Sequence, residues 1–430
     1  MVRLIRKLDY LYRTGKGQYI QFLNRISQEL RLSIPVEPRS KNSINEKEKK
    51  LFQLYVHKQM TKLKRRTFQS NVIIEIDFFS TISNPPQIHT LTKNYLDLLS
   101  APIDKTQINR KNLLYKDDRQ IKVLIANHHV EKKHNSPKIN IKIARLSNFI
   151  KDLKLIQQIE INDFDCDARD SNIDIDELLE SKNTRHYGNW LEKYEIYNEI
   201  KASERLYDTT NNDEPISNLF LRRTQQSFFT EFNFDITDLA RIFIGNENEE
   251  ISNANESSGY LSGILEIIDK FIEPNYRKFY FSLKDITRMT IFDLPRKKGE
   301  TKKFRNKISE ILDQYTKQFL FLDPLLVNLS LVILYIAPKD VEIDLDNLAR
   351  RVVPYINQKL KPLGTWYHRV NKESRYIQKT ITEYQIIQLP REKEDPKKGA
   401  IKILLFPKIP FKNIWEEAQS LIFDWNDHVN

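Results

Sequence analysis

VNLSLVILYIAPKDVEIDLDNLARRVVPYINQKL, running from Val327 to Leu360, decides how the chain is read. The apolar stretch from Leu325 to Pro338 is too short to cross a bilayer and predicts a strand buried on both faces. After a loop come Asp344 and Asp346, two carboxylates at i and i+2 at the mouth of a helix that carries Arg350 and Arg351. Hard oxygen ligands in that spacing suit Mg²⁺ beside a phosphate, and the neighbouring arginines suit phosphate oxygens. The same acids also suit a helix start, with Asp344 or Asp346 as N-cap and first-turn acids favoured by the helix dipole.

The order of elements around this stretch occurs twice. Upstream, FYFSLKDITRMTIFDLP precedes a helix, KKFRNKISEILDQYTKQF; downstream come the strands RYIQKTITEYQIIQLP and KGAIKILLF. Near the start of the chain, an extended LRLSIPVEPRS leads into a basic helical stretch, Ile44 to Lys64. The strand NVIIEIDFF, the helix HTLTKNYLDLL and the strands DDRQIKVLIANHHV and PKINIKIARL then close a first copy. Each copy reads β-α-β-α-β-β, and equivalent landmarks lie about 256 residues apart. The fold class expected is α+β, two small modules of mixed helix and strand in a pseudo-dimer arrangement.

Charge separates the copies from what lies between them. The chain of 430 residues carries 69 Lys+Arg against 58 Asp+Glu, a net +11, which is consistent with a polyanionic partner. Residues 1–150 hold 29 basic against 12 acidic side chains, 151–270 hold 12 against 26, and 271–430 hold 28 against 20. Two basic flanks thus enclose an acidic middle, read as a mainly helical insert. GNENEEISNANESSG, Gly245 to Gly259, is the best linker candidate, and REKEDPKKG, Arg391 to Gly399, reads as a long hairpin loop.

Several chemistries are excluded. Cys166 is the single cysteine, so no internal disulfide framework or cysteine-rich zinc module forms, and a reducing compartment fits. The nine glycines make neither GxGxxG nor GxxxxGK[ST], and HExxH is absent. The basic start lacks the apolar run and cleavage site of a signal peptide, so a soluble, cytoplasmic protein with no membrane partner is expected. Asp163, Asp165 and Asp167 imitate half an EF-hand, but Ala168 and Asp174 stand where glycine and glutamate belong. His128, His129 and His134 have no cysteine nearby and read as strand or surface residues.

Basic residues cluster at Lys58, Lys62, Lys64, Arg65 and Arg66, and again at Lys297, Lys298, Lys302, Lys303 and Arg305. Both clusters flank the first helix of a copy, which makes phosphate binding a reading equal to that of a solvated face. In YKDDRQI, Asp117 and Asp118 precede a strand, either as a solvated turn or as a ligand pair. FKNIWEEAQSLIFDWNDHV near the C-terminus is an amphipathic helix suited to packing on a domain or partner.

Taken together, DLDNLARRVVPYINQKL, YKDDRQIKVL and SIPVEPRSKN resemble the helix signature, the late carboxylate segment and the opening strand of the RusA family of Holliday-junction resolvases. The resemblance covers residues 28–148 and 276–408, leaving 1–27 as an N-terminal helical extension, 149–275 as the acidic insert and linker, and 409–430 as the C-terminal helix. It implies binding of branched DNA, including four-way junctions, and Mg²⁺-dependent phosphodiester hydrolysis, with Mn²⁺ as a substitute. Carried over by position, Asp344 and Asp346 are the first two carboxylates, Asn347 an orienting group and Arg350 the basic residue. Ser374 stands where the third aspartate belongs, with Glu373 one residue away. In the first copy Asp118 supplies the late carboxylate and Lys93 the basic position, while Gln87-Ile88-His89 replaces Asp-x-Asp.

Each copy therefore keeps the half of the site that the other lacks. Three outcomes stay open. Asp118 completes Asp344 and Asp346 in one composite site, Glu373 completes a site within the second copy, or both sites are dead and the basic surfaces only bind DNA. Lys62, Lys64, Arg65, Arg66, Lys93, Asn347, Arg351, Lys302 and Lys303 are the expected DNA contacts. A protein partner is expected at the acidic insert or the C-terminal helix, and a non-cutting assembly scaffold is the rival function.

Overall fold

The computed structural model describes residues 10–11, 14–82, 85–130, 136–161, 289–292, 294–295, 300–318, 329–341, 343–360, 380–389, 391, 397–407 and 413–429. They fall into two compact bodies: described residues within 1–29, 144–223 and 413–430 form one, and those within 30–143 and 224–412 form the other.

The first body is helical. Thr14 caps α1 (Gly15–Gln28) by accepting a hydrogen bond from the Gly17 amide at 3.0 Å. The other helices are α4 (Leu146–Ile161) and α7 (Ile414–Val429). Asn413 starts α7, its side-chain oxygen accepting from the Trp415 and Glu416 amides at 3.0 Å each. The C-terminal amphipathic helix read from sequence packs its apolar face on α4 and α1, burying Trp415 and Ile422. Arg25 and Asp152 form a buried ion pair at 2.6 Å in this body.

The second body is a mixed α+β structure built on one eight-stranded sheet in the order β1-β4-β2-β3-β7-β6-β8-β5. Its first half contains β1 (Leu30–Ile34), α2 (Glu46–Lys62), β2 (Val72–Ser80), α3 (Ile88–Ser100), β3 (Ile121–Val130) and β4 (Lys138–Arg145). Its second half contains β5 (Met289–Phe292), α5 (Glu300–Gln318), β6 (Leu329–Ile336), α6 (Leu345–Lys359), β7 (Ile381–Leu389) and β8 (Ala400–Pro407). The two element orders are identical, and the strand order reads the same from either end. Within each half the second and third strands run parallel, with a register irregularity at the start of the second strand, at Val72/Ile73 and at Leu329/Ser330.

The halves meet where β3 and β7 pair antiparallel, Ala126 opposite Tyr384 and Asn127 opposite Glu383. Parallel pairing within each half needs a crossover, supplied by α3 and α6, and central strands buried on both faces account for the continuous apolar runs. One apolar core runs through both halves, from Phe52, Val56 and Tyr95 to Leu331, Val353 and Tyr384. Buried Gln53 donates to the Leu98 and Ala101 carbonyls, at 2.8 and 3.0 Å, and so closes the C-terminal end of α3.

Element ends depart from the sequence reading for local reasons. The basic helix begins at Glu46 because Asn45 and Glu48 form a capping box. It stops at Lys62, and Lys64 adopts a left-handed conformation at φ 52°. β1 ends at Ile34, before Pro35. Asp118–Gln120 is a single 3-10 turn rather than strand, because Asp117 and Gln120 cap it reciprocally. The EF-hand-like stretch, the linker at Gly245, His134, Lys297, Lys298 and Glu373 lie outside the described residues. No helix among the described residues is long and apolar enough to cross a membrane.

Gly399 enters β8 at φ +74°, and a Cβ there would stand 2.5 Å from the Ile336 carbonyl oxygen. Gly399→Ala is expected to lower unfolding stability by about 1–3 kcal/mol, measured by urea denaturation, because both backbone strain and the close carbonyl oppose the methyl group.

Candidate functional site: an acidic pole shared by the two halves

Helical spacing puts His89, Lys93 and Asp97 on one face of α3, at i, i+4 and i+8. The same spacing puts Asp346 and Arg350 on one face of α6. The two helices pack together, so residues from opposite halves meet. Lys93 Nζ lies 2.8 Å from Asp346 Oδ2, 3.0 Å from Asp97 Oδ1 and 3.6 Å from Asp118 Oδ2. One carboxylate oxygen each from Asp97, Asp118 and Asp346 lies within 4.8 Å of the others. Asp344 sits at the rim, at the N-cap position of α6, where it makes no side-chain capping bond and accepts from Asn347 Nδ2 at 3.0 Å.

The adjacent carboxylates of the first half divide their work. Asp117 is the cap of the 3-10 turn, and this fixes Asp118 so that it faces the cluster. Tyr115, fully buried just before it, donates to the Leu96 carbonyl at 2.8 Å and ties the loop to α3. Asp118 Oδ1 is buried with no hydrogen-bond partner.

Electrostatics follow from burial and crowding. Asp346 is 2% exposed; loss of water pushes its carboxyl above the usual range, while the Lys93 ammonium pulls against that rise. Burial, and next the Asp346 charge, push Asp118 up to about 6. Burial opposes the charge on Lys93, but Asp346 and Asp97 outweigh it and hold the ammonium protonated. One ammonium thus faces Asp97, Asp118, Asp346 and the nearby Asp344, so a cationic ligand would find net negative charge.

The oxygen donors fit a small hard cation: carboxylates only, drawn from three segments, with ligand atoms close enough to share one ion. Lys93 stands among them, so such an ion fits only where the ammonium withdraws.

The opposite pole is built differently. At the position matching Asp346 the first half carries His89, which is buried; burial, and then the nearby Arg350, lower its pKa to about 4. Neutral imidazole and arginine therefore replace the carboxylate and lysine of the acidic pole. Arg350 acts on His89 and shares a face of α6 with Asp346. Lys93, from the other half, is the cation seen in contact with the carboxylates.

The remaining expected residues scatter. Asn347 spends its side chain on Asp344, and half-buried Arg351 donates to the Pro295 carbonyl at 3.0 Å. Lys62, Lys64 and Arg66 are exposed at the end of α2, with half-buried Arg65 beside them, and Lys302 and Lys303 are exposed on α5. Lys58 is exposed on α2, and Arg305 stacks over Tyr355. His128 is buried and hydrogen-bonded to Ser80, and His129 stacks on Phe79. Asp97 was not singled out from sequence, although its i, i+4 spacing from Lys93 is a readable signal.

No family model matches the chain, and no curated protein matches it.

A carboxyl raised on folding binds more protons in the folded than in the unfolded chain between about pH 4 and pH 6, so its contribution to stability falls as pH rises through that window. Asp118→Asn is expected to be more stable than the unaltered protein above pH 7, by about 1–2 kcal/mol, with the difference vanishing below pH 4. Urea unfolding across pH 3.5–8 checks this; an unchanged pH profile contradicts it.

Proposed function

We propose that the protein binds branched DNA in the manner implied by its resemblance to the RusA family, and that its acidic pole is a composite, Mg²⁺-dependent nuclease site. The observation that carries this reading is the convergence of Asp346 from one half with Asp118 and Asp97 from the other. A divalent cation bound there would supply a Lewis acid for a phosphate oxygen and lower the pKa of its bound water. Asp346 and Asp118 would hold it, with Asp344 at the rim. Lys93 compensates carboxylate charge in the resting state and, on withdrawing, would present its ammonium to a phosphate oxygen.

The asymmetry of the poles limits the outcome. Only one of them offers carboxylates among the described residues, so one strand is cut per bound junction and the product is a nick, not a pair of symmetric cuts.

A second reading is supported by Lys93 itself. Its ammonium already sits where a cation would, which suits a non-cutting scaffold that has kept DNA binding and replaced its metal with a lysine.

Incubation of the full chain with end-labelled four-way junction, with and without Mg²⁺ or Mn²⁺, separates them. The expected result is metal-dependent single nicks, reduced at least about 100-fold by Asp346→Asn with retention of the junction. A junction retained but never cut assigns the scaffold reading; no retention at low salt overturns both.

A further inference from the structure

The loops that lead into β2 and β3 enclose a cleft of about 390 Å³. Arg66 and Thr67 form one wall; Arg110, Lys111, Asn112 and Lys116 form the other. Four cations and no carboxylate line it. Among the described residues, no ion pair engages Arg66, Lys111 or Lys116, all of which are exposed.

The walls are fixed by hydrogen bonds between the loops. The Phe68 amide donates to the Leu114 carbonyl at 2.7 Å, and Thr67 Oγ1 donates to the Asn112 and Leu113 carbonyls at 2.9 Å each. Gln120 Nε2 reaches the Ser70 carbonyl at 2.9 Å, and Arg110 Nη1 the Arg65 carbonyl at 3.1 Å. Like charges are therefore held together by the backbone rather than left to spread apart, an arrangement that raises local anion concentration.

We propose that this cleft is a phosphate-binding subsite for a nucleic-acid strand, with Arg66, Lys111 and Lys116 as its contacts. The inference rests on the DNA-binding reading above and deepens it. A volume in the range of ligand-sized cavities exceeds what one phosphate ion fills, and the cations spread along both walls as successive backbone phosphates require. Lys116 is two residues from Asp118, so their Cα atoms are at most about 7.6 Å apart. A strand fixed in the cleft thus runs beside the acidic pole. Arg110 and the cleft's second wall carry no signal in the sequence, because their charges are scattered through an irregular loop and gather only when it folds against the segment after α2.

The test is the salt dependence of four-way-junction binding by the full chain and by Arg66→Ala/Lys111→Ala/Lys116→Ala, with Lys16→Ala/Lys47→Ala/Lys105→Ala as an equal-charge control. Removing one neutralised phosphate lowers the slope of log K against log salt by about 0.9, so the slope is expected to fall by about 2–3 in the cleft variant and by less than about 1 in the control. Circular dichroism and the urea midpoint report that the variant is folded. Protection of Lys111 and Lys116 from acetylation by DNA, but not by inorganic pyrophosphate at matched ionic strength, completes the expected result. A bound junction with an unchanged slope in the cleft variant overturns the inference and leaves the DNA-binding reading standing. Protection by pyrophosphate alone assigns a small-anion site and overturns the strand. No junction binding by the unaltered chain overturns both readings together.

Discussion

The antiparallel pairing of β3 with β7 is the constraint on which the acidic pole depends. It makes one sheet from two halves whose strands would otherwise each end in an open edge, and an open edge of apolar strand invites pairing with other chains. The pairing also fixes the crossover helices. Because α3 and α6 each cover the strand next to the seam, closing the seam brings them together. Lys93 and Asp346 could not meet without it.

The junction so made is pseudo-symmetric in backbone and asymmetric in charge. One pole joins a lysine to carboxylates; the other joins Arg350 to a neutral His89. A single chain permits this, since its two halves need not carry the same residue at a given position, whereas a homodimer repeats every substitution at both sites. One pole thus gathers carboxylates from both halves. Buried carboxylates with raised pKa values cost stability, and here that cost is concentrated at one pole.

Much of the fold was legible in the sequence because its signals are local. Apolar runs bounded by Pro338 and by Pro35 marked strands, and the acids before Leu345 marked a helix start. The repeated order β-α-β-α-β-β followed from those signals alone. Ends depending on side-chain reciprocity, such as the Asn45–Glu48 box, shifted by a residue or two. The site was legible in its parts. Asp118, Asp344 and Asp346 stand out in the sequence as candidate carboxylates, their union being one of three open outcomes, and Lys93 as a basic residue. Which edges would join was not legible, because edge pairing depends on register and on residues far apart in sequence. Hence the contacts of Lys93 with Asp346 and Asp97 were not legible in the sequence.

The central claim is that residues of the two copies share one electrostatic site, and a double-mutant cycle on Lys93 and Asp346 tests it most directly. Unfolding free energies would be measured for the unaltered chain, Lys93→Met, Asp346→Asn and the double variant at pH 7.5. A buried pair in direct contact is expected to show a coupling of about 1–3 kcal/mol, with Lys93→Met strongly destabilising on its own and largely rescued by Asp346→Asn. Additivity within about 0.3–0.5 kcal/mol would mean that the two side chains do not meet, and the shared acidic pole would not exist.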